Sequence, residues 1–273
     1  SWAGGLAWIV AETAAERRGA LIGRALAAAI GGSLFGPVIG TLANAVGRRA
    51  AFSGVVIVAV LLIAETRRHP SHHVRSAQGL GELRAALASG GIRTGMWLVM
   101  LPAIASGALN VLGPLRLHRF GAGAAMIGAT FLLAAGAEAV ITPVIGSVSD
   151  RRGRLVPLRL GLVVTAGLLL CFSLPSAVLV LAAVVVATAA ALGAFWAPAM
   201  AMLSDAAERH GLDPGLAGAL MNLAWAAGQT VGSGAGGSLA GATSDALPML
   251  IAAGLCAATL AVIRGRARGA NLA

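Results

Sequence analysis

Apolar residues run almost unbroken along this chain, and the charged residues collect in short gaps between the runs. The runs fall at about 1–11, then near 19–43, 48–64, 94–115, 122–146, 155–174, 176–203, 215–242 and 246–263. A helix needs roughly 20 apolar residues to cross a hydrocarbon layer about 30 Å thick. The pattern therefore predicts eight complete membrane-spanning helices preceded by the tail of another. The run at 48–64 is short and must recruit "AVGRRAAF" at its entry in order to span.

Composition supports this picture. The chain is 58% hydrophobic and 11% charged, against roughly 25% charge in soluble domains. Its formal charge of +10 comes from twenty basic residues, every one an arginine, against ten acids. So basic a chain raises nucleic acid as a partner, but these arginines sit in the gaps between apolar runs, where charge sets membrane topology. No nucleic-acid partner is expected.

Successive gaps must alternate between the two faces of a bilayer. The gaps at 12–18, 65–93, 147–159, 204–214 and 264–273 hold 15 arginines, with Arg24 just inside the same face. The alternate gaps hold Arg48, Arg49, Arg116 and Arg119. The imbalance places the first set, and the C-terminus with it, in the cytoplasm. Within the longest gap, 65–93, Leu80, Leu83 and Leu87 fall at helical spacing with Glu82 and Arg84 off that stripe, which predicts a short interfacial helix. His69, His72 and His73 lack carboxylate or cysteine neighbours and read as solvated loop residues. Cys171 and Cys256 lie inside apolar runs without metal-type spacing and read as small buried hydrophobes. No metal site is expected. Nor is an enzyme, since no nucleophile, metal or phosphate-loop constellation is visible.

A polar phrase occurs twice: "AAERRG" at 14–19 and "AAERHG" at 206–211. After the first copy comes "GSLFGPVIGT" and after the second "GQTVGSGAGG", so that Gly32, Gly36 and Gly40 align with Gly228, Gly232 and Gly236. Three glycines at i, i+4 and i+8 line one face of a helix and let another helix approach closely. A repeat with the same direction and sidedness implies two halves related by an axis along the membrane normal.

The stretch "GSVSDRRGRL" at 146–155 resembles the loop signature of the major facilitator superfamily. Gly146, Asp150, Arg151, Gly153 and Arg154 match that signature; Val148 and Leu155 depart from it. The stretch containing Gly32, Gly36, Pro37 and Gly40 is similar to the span-five motif of the superfamily's antiporter members, with Thr41 in place of a final glycine. The resemblance implies an all-α membrane protein with the superfamily's fold, a helical transmembrane bundle of two pseudo-repeated halves with the first half incomplete. Residues 1–64 would be the end of span four and spans five and six, 65–93 a cytoplasmic linker, and 94–273 spans seven to twelve with a cytoplasmic tail. Ser1 falls within an apolar segment already under way, so spans one to three are expected to be missing and the piece itself is expected not to transport.

The resemblance further implies a monomeric secondary active transporter in the plasma (inner) membrane, working by alternating access on a small-molecule substrate. Proton-coupled export of a hydrophobic or amphipathic molecule is the expectation, with the proton gradient as driving force and no cofactor. Uptake of a small metabolite, or a non-transporting receptor or scaffold on the same fold, are the alternatives. In the family, an aspartate at the position of Asp150 latches the two halves; the residues supply arginines and a neighbouring helix N-terminus as natural partners for it, and Gly153 permits a tight turn. Gly36 and Pro37 weaken the helix they interrupt. Glu138 is an acid deep within a span, where burial cost should turn it toward the bundle interior or a water-filled cavity, as a candidate for proton coupling. Asn110, Asn222 and Gln229 are uncharged polar groups at membrane depth, with Trp196 and Trp225 as candidate walls of a substrate cavity.

Overall fold

The computed structural model describes residue 13 and residues 17–33, 47–68 and 80–270. Among them there is no strand. The helices are α1 (Arg18–Ser33), α2 (Arg48–Arg68), α3 (Leu80–Ala88), α4 (Gly90–Arg119), α5 (Ala124–Arg152), α6 (Leu155–Cys171), α7 (Val178–Arg209), α8 (Pro214–Thr230), α9 (Gly236–Ala242) and α10 (Ala246–Ala270). A π-helical turn, Val231–Ala235, joins α8 to α9 without a break in the helical run. In α4, α5, α7 and α10 the described stretches are individually long and apolar enough to cross a membrane. The helix proposed from Leu80, Leu83 and Leu87 is α3, with Ala86 buried and Leu83 and Leu87 packed on the core.

Most helices run further than their apolar stretches. The expected spans 94–115, 122–146 and 176–203 become α4, α5 and α7, which reach Arg119, Arg152 and Arg209. Backbone hydrogen bonding continues past the hydrocarbon edge as long as nothing interrupts it. What stops these helices is glycine in the left-handed region: Gly121, Gly153 and Gly211 have φ of +85°, +82° and +67°. "AAERHG" is therefore mostly helix. Leu212 N–H bonds to the Ala207 carbonyl and Gly211 N–H to that of Glu208, closing the end of α7. Asp213 then caps α8 through Gly215 N–H at 2.7 Å, with Pro214 as the first residue of the helix.

α7 is the hub and packs on α1, α4, α5 and α6; α8 packs on α4, and α10 on α6. Leu98, Leu101, Leu162, Phe172, Leu181, Phe195 and Leu203 are fully buried between them. Leu133, Val140, Leu160 and Leu179 face outward, as lipid-facing residues do in a protein whose solvent is hydrocarbon. In α2, every residue from Val55 to Ile63 is exposed.

The glycine stripe Gly228, Gly232 and Gly236 does what its spacing predicts. A Cβ on Gly228 would lie 2.5 Å from the Met100 carbonyl oxygen, one on Gly232 would overlap the Ile104 carbonyl, and one on Gly236 would lie 3.3 Å from Ala108 Cβ. Gly107 of α4 answers from the other side, facing the Gln229 carbonyl and Ser233 N. In the aligned stretch, a Cβ on Gly32 meets nothing within 4 Å among the described residues, and Gly36, Pro37 and Gly40 lie outside the described residues, as do the segment at 1–11 and His69, His72 and His73. One expectation is corrected: Cys256 is buried, but Cys171 is exposed. It is the last residue of α6, where the chain leaves the bundle, so its position within an apolar run did not place it inside.

Candidate functional site

All six polar and aromatic residues singled out at membrane depth line one cavity of about 660 Å³. α4 contributes Asn110, α5 Glu138, α7 Trp196, and α8 Asn222, Trp225 and Gln229. Helical periodicity explains the α8 group: Asn222, Trp225 and Gln229 are three and four residues apart and share a face. Sequence reasoning missed Ser106, four residues before Asn110 on α4, and the pair Met200 and Met221, which also line the cavity. It also missed Ala29, through which α1 reaches the cavity. The volume lies within the range of sites for drug-sized ligands.

Glu138 is half-buried, and its stem crosses from α5 to α7 over Gly193. A Cβ on Gly193 would lie 2.5 Å from Glu138 Cγ and 3.1 Å from Thr142 Oγ1, so the glycine makes the space in which the stem lies. One turn along, Thr142 Oγ1 donates to the Glu138 carbonyl at 2.7 Å and lies 3.4 Å from the Gly193 carbonyl. This hydroxyl supplies a polar partner in the turn that Pro143 interrupts. A Cβ on Gly23 of α1 would lie 2.9 Å from Pro143 Cα and the Thr142 carbonyl oxygen, one turn along α5 from Glu138. Two glycines thus admit this stretch of α5, Gly193 of α7 at Glu138 and Thr142, and Gly23 of α1 at Thr142 and Pro143.

At one end of the bundle, Asp150 Oδ2 accepts a hydrogen bond of 2.7 Å from the Ala20 N–H. Ala20 is the third residue of α1, so its N–H is one of the four that a helix cannot satisfy internally, and the positive end of the helix dipole lies beside the carboxylate. The expected helix N-terminus is therefore that of α1, about 130 residues away in sequence. The motif residues divide between two elements: Gly146, Asp150 and Arg151 belong to the last turns of α5, and Gly153 and Arg154 form the connection to α6. Arg151 is exposed. Arg154 reaches Asp205 of α7 at 3.0 Å, with both side chains about four-fifths buried. Asp205 was not among the residues picked from the sequence; its signal was its place one residue before the repeated phrase.

The opposite end carries a second cluster that sequence reasoning saw only as topology-setting charge. Asp245, in the turn between α9 and α10, is nearly buried and lies 2.6 Å from Arg119 and 3.9 Å from Arg116. Arg116 also donates to the Ser173 carbonyl at 2.8 Å and lies over the rings of Phe120 and Phe172 at 5.5 and 5.7 Å. These contacts tie the end of α4 to the α6–α7 turn and the α9–α10 turn. Helix ends assigned from the sequence to opposite faces accordingly gather at opposite ends of the bundle.

The cavity lies between two charged ends that pin helices together. Comparison with known families gives a match to the model described as Major Facilitator Superfamily over residues 85–270, about two thirds of the chain. No curated protein matches the chain. The matched stretch contains the cavity residues from Asn110 to Gln229, the Asp150 motif and both charged ends of the bundle. The chain is an all-α, multi-pass membrane protein, and it belongs to the major facilitator superfamily of transporters.

Proposed function

We propose that this chain forms the substrate-binding part of a proton-coupled exporter of a small amphipathic molecule, working by alternating access in the plasma (inner) membrane. The observation that carries the reading is the convergence of Glu138, Asn110, Asn222, Gln229, Trp196 and Trp225 on one cavity. Three amides and a carboxylate among apolar and aromatic walls suit a ligand with a large apolar surface and few polar groups. A carboxylate inside a membrane domain and open to a cavity can exchange a proton with water on whichever side the cavity faces.

The arginine-rich end, with the C-terminus, lies in the cytoplasm by charge bias. Residues up to 64 belong to the first half, 65–93 to a linker and 94–273 to the second half. On this division the Asp150 to Ala20 bond joins the halves at the cytoplasmic end, where it closes that side and must break before the cavity can open there. The native protein in vesicles with an imposed pH gradient tests the coupling. Glu138→Gln is expected to abolish gradient-driven flux while leaving counterflow exchange, and unchanged gradient-driven flux would remove Glu138 as the proton site.

A further inference from the structure

The surface of the bundle carries a groove separate from the cavity, between the first turns of α4 and the last turns of α10, with a volume of about 410 Å³. Arg93 and Trp97 line it from α4, and Leu255, Thr259 and Val262 from α10. Spacings of four, and of four and three, put each set on one helical face. The walls run from Gly90 to Leu98 and from Leu255 to Ile263, about 12 Å along each helix at a rise of about 1.5 Å per residue. Arg93, Ala258 and Val262 are exposed along it. α1 packs on α5 and α7, neither of which contributes to the groove.

The uncharged polar side chains of the groove are engaged within the two helices. Trp97 Nε1 donates to Thr259 Oγ1 at 2.9 Å, Thr259 Oγ1 donates to the Leu255 carbonyl at 2.7 Å, and Thr94 Oγ1 donates to the Gly90 carbonyl at 2.7 Å. What remains is an apolar slot walled in part by an indole, with a single charge among the described lining residues: Arg93, the fourth residue of α4, at its mouth. No carboxylate is among those residues. Past the groove, α10 continues through Arg264, Arg266 and Arg268, so the sequence adds positive charge at the same end. A ligand that fits presents an anionic group at the mouth and an alkyl chain behind it. A free anion leaves the apolar walls uncovered, and a neutral chain leaves Arg93 without a counter-charge. Basic pockets between membrane-spanning helices hold acidic lipid headgroups in this way. We propose that the groove is a binding site for an anionic diacyl phospholipid, with its headgroup on Arg93 and one acyl chain laid between Trp97 and Leu255. The lipid fastens α4 to α10 at this end, as Asp245 ties them through Arg119 and Arg116 at the other.

Dioleoyl phosphatidylglycerol and dioleoyl phosphatidylcholine share their acyl chains and differ in net charge. Titrating each into the purified chain in neutral detergent at low ionic strength, with bound lipid counted by native mass spectrometry, reads the preference directly. The anionic lipid is expected to bind at least about fivefold more tightly. Arg93→Gln is expected to remove most of that preference and Arg93→Lys to retain it. Arg152→Gln removes the same charge from an exposed position outside the groove and should leave the preference intact. Ala258→Phe, which fills the groove from α10, should weaken both lipids alike. Equal binding of the two lipids, a preference that survives Arg93→Gln, or one lost equally with Arg152→Gln overturns the inference. Lipid affinities untouched by Ala258→Phe place the chain elsewhere and overturn it too. Glycerol 3-phosphate, a headgroup without acyl chains, is expected not to displace phosphatidylglycerol; displacement at equal concentration would show a free-anion site in place of a lipid site.

Discussion

Replacing glycines of the second-half stripe one at a time by alanine isolates the helix contact on which the α8 wall of the cavity rests. An alanine in place of glycine favours helix by about 1 kcal/mol when nothing else changes. Gly234 shows that case, since a Cβ there meets nothing within 4 Å among the described residues. At Gly232 the new methyl would overlap the Ile104 carbonyl, and at Gly228 it would lie 2.5 Å from the Met100 carbonyl oxygen and 2.6 Å from Ala103 Cβ. Main-chain atoms of α4 cannot rotate away as a side chain can, so the two helices must part by several tenths of an ångström. Overpacking of this kind costs about 1–3 kcal/mol, enough to reverse the propensity gain. At Gly236 the neighbour is Ala108 Cβ at 3.3 Å, and a small shift accommodates the methyl.

The expected order of stability is thus Gly234→Ala, then Gly236→Ala, then Gly228→Ala, with Gly232→Ala lowest by about 2–3 kcal/mol relative to Gly234→Ala. Thermal unfolding of the purified protein in one detergent, followed by the monodisperse fraction remaining, should show a Tm about 5–10 °C lower for Gly232→Ala than for Gly234→Ala. Using Gly234 as reference matters because both residues lie in the same π-helical turn, so the comparison cancels the backbone term. Equal Tm values for the two would refute the claim that this stripe exists to admit α4.

Three further changes test the ends of the bundle. Asp150→Asn keeps an acceptor for Ala20 N–H but loses the charge that strengthens the bond, a difference of about 1 kcal/mol; turnover of the native protein in vesicles should slow severalfold with substrate affinity little altered, and an unaltered rate removes the latch role. Asp245→Asn withdraws the carboxylate shared by Arg116 and Arg119. Because Arg119 is largely exposed and Arg116 keeps the Ser173 carbonyl, the loss should be about 1–2 kcal/mol, below the 3–5 of a fully buried pair. A Tm equal to that of the parent protein would show the cluster to be neutral. Gly153→Ala forces a side chain into φ of +82° at a cost of about 1–3 kcal/mol, so its Tm should fall although, among the described residues, no atom beyond its own chain neighbours lies within 4 Å of the added methyl.

What could be read in advance follows from how far each property reaches along the chain. Spans are read from the length of one apolar run, their alternation from the charges in successive gaps and the glycine stripe from period 3.6 within one helix, so each is legible from a short stretch of sequence. The six cavity residues were found because a polar or aromatic group at membrane depth has few places to go. Ser106, Met200 and Met221 give no such signal: a serine at membrane depth is common, and methionine is apolar, so only the fold shows which way they face. Asp205 and Asp245 escaped for a different reason. Each sits at a helix end, where charge is expected in any case, and its partner lies 51 residues away for Asp205 and 126 for Asp245. The same distance hid the Ala20 partner of Asp150, although the need for a helix N-terminus there was legible from the carboxylate itself. Gly23 and Gly193 are the sharpest case, because a lone glycine in a glycine-rich chain carries no signal. Yet Gly193 makes the room for the Glu138 stem, and Gly23 lets α1 approach the next turn of α5. The chemistry of this site was therefore written in its polar residues, and its geometry in glycines whose meaning depends on what lies across the helix interface.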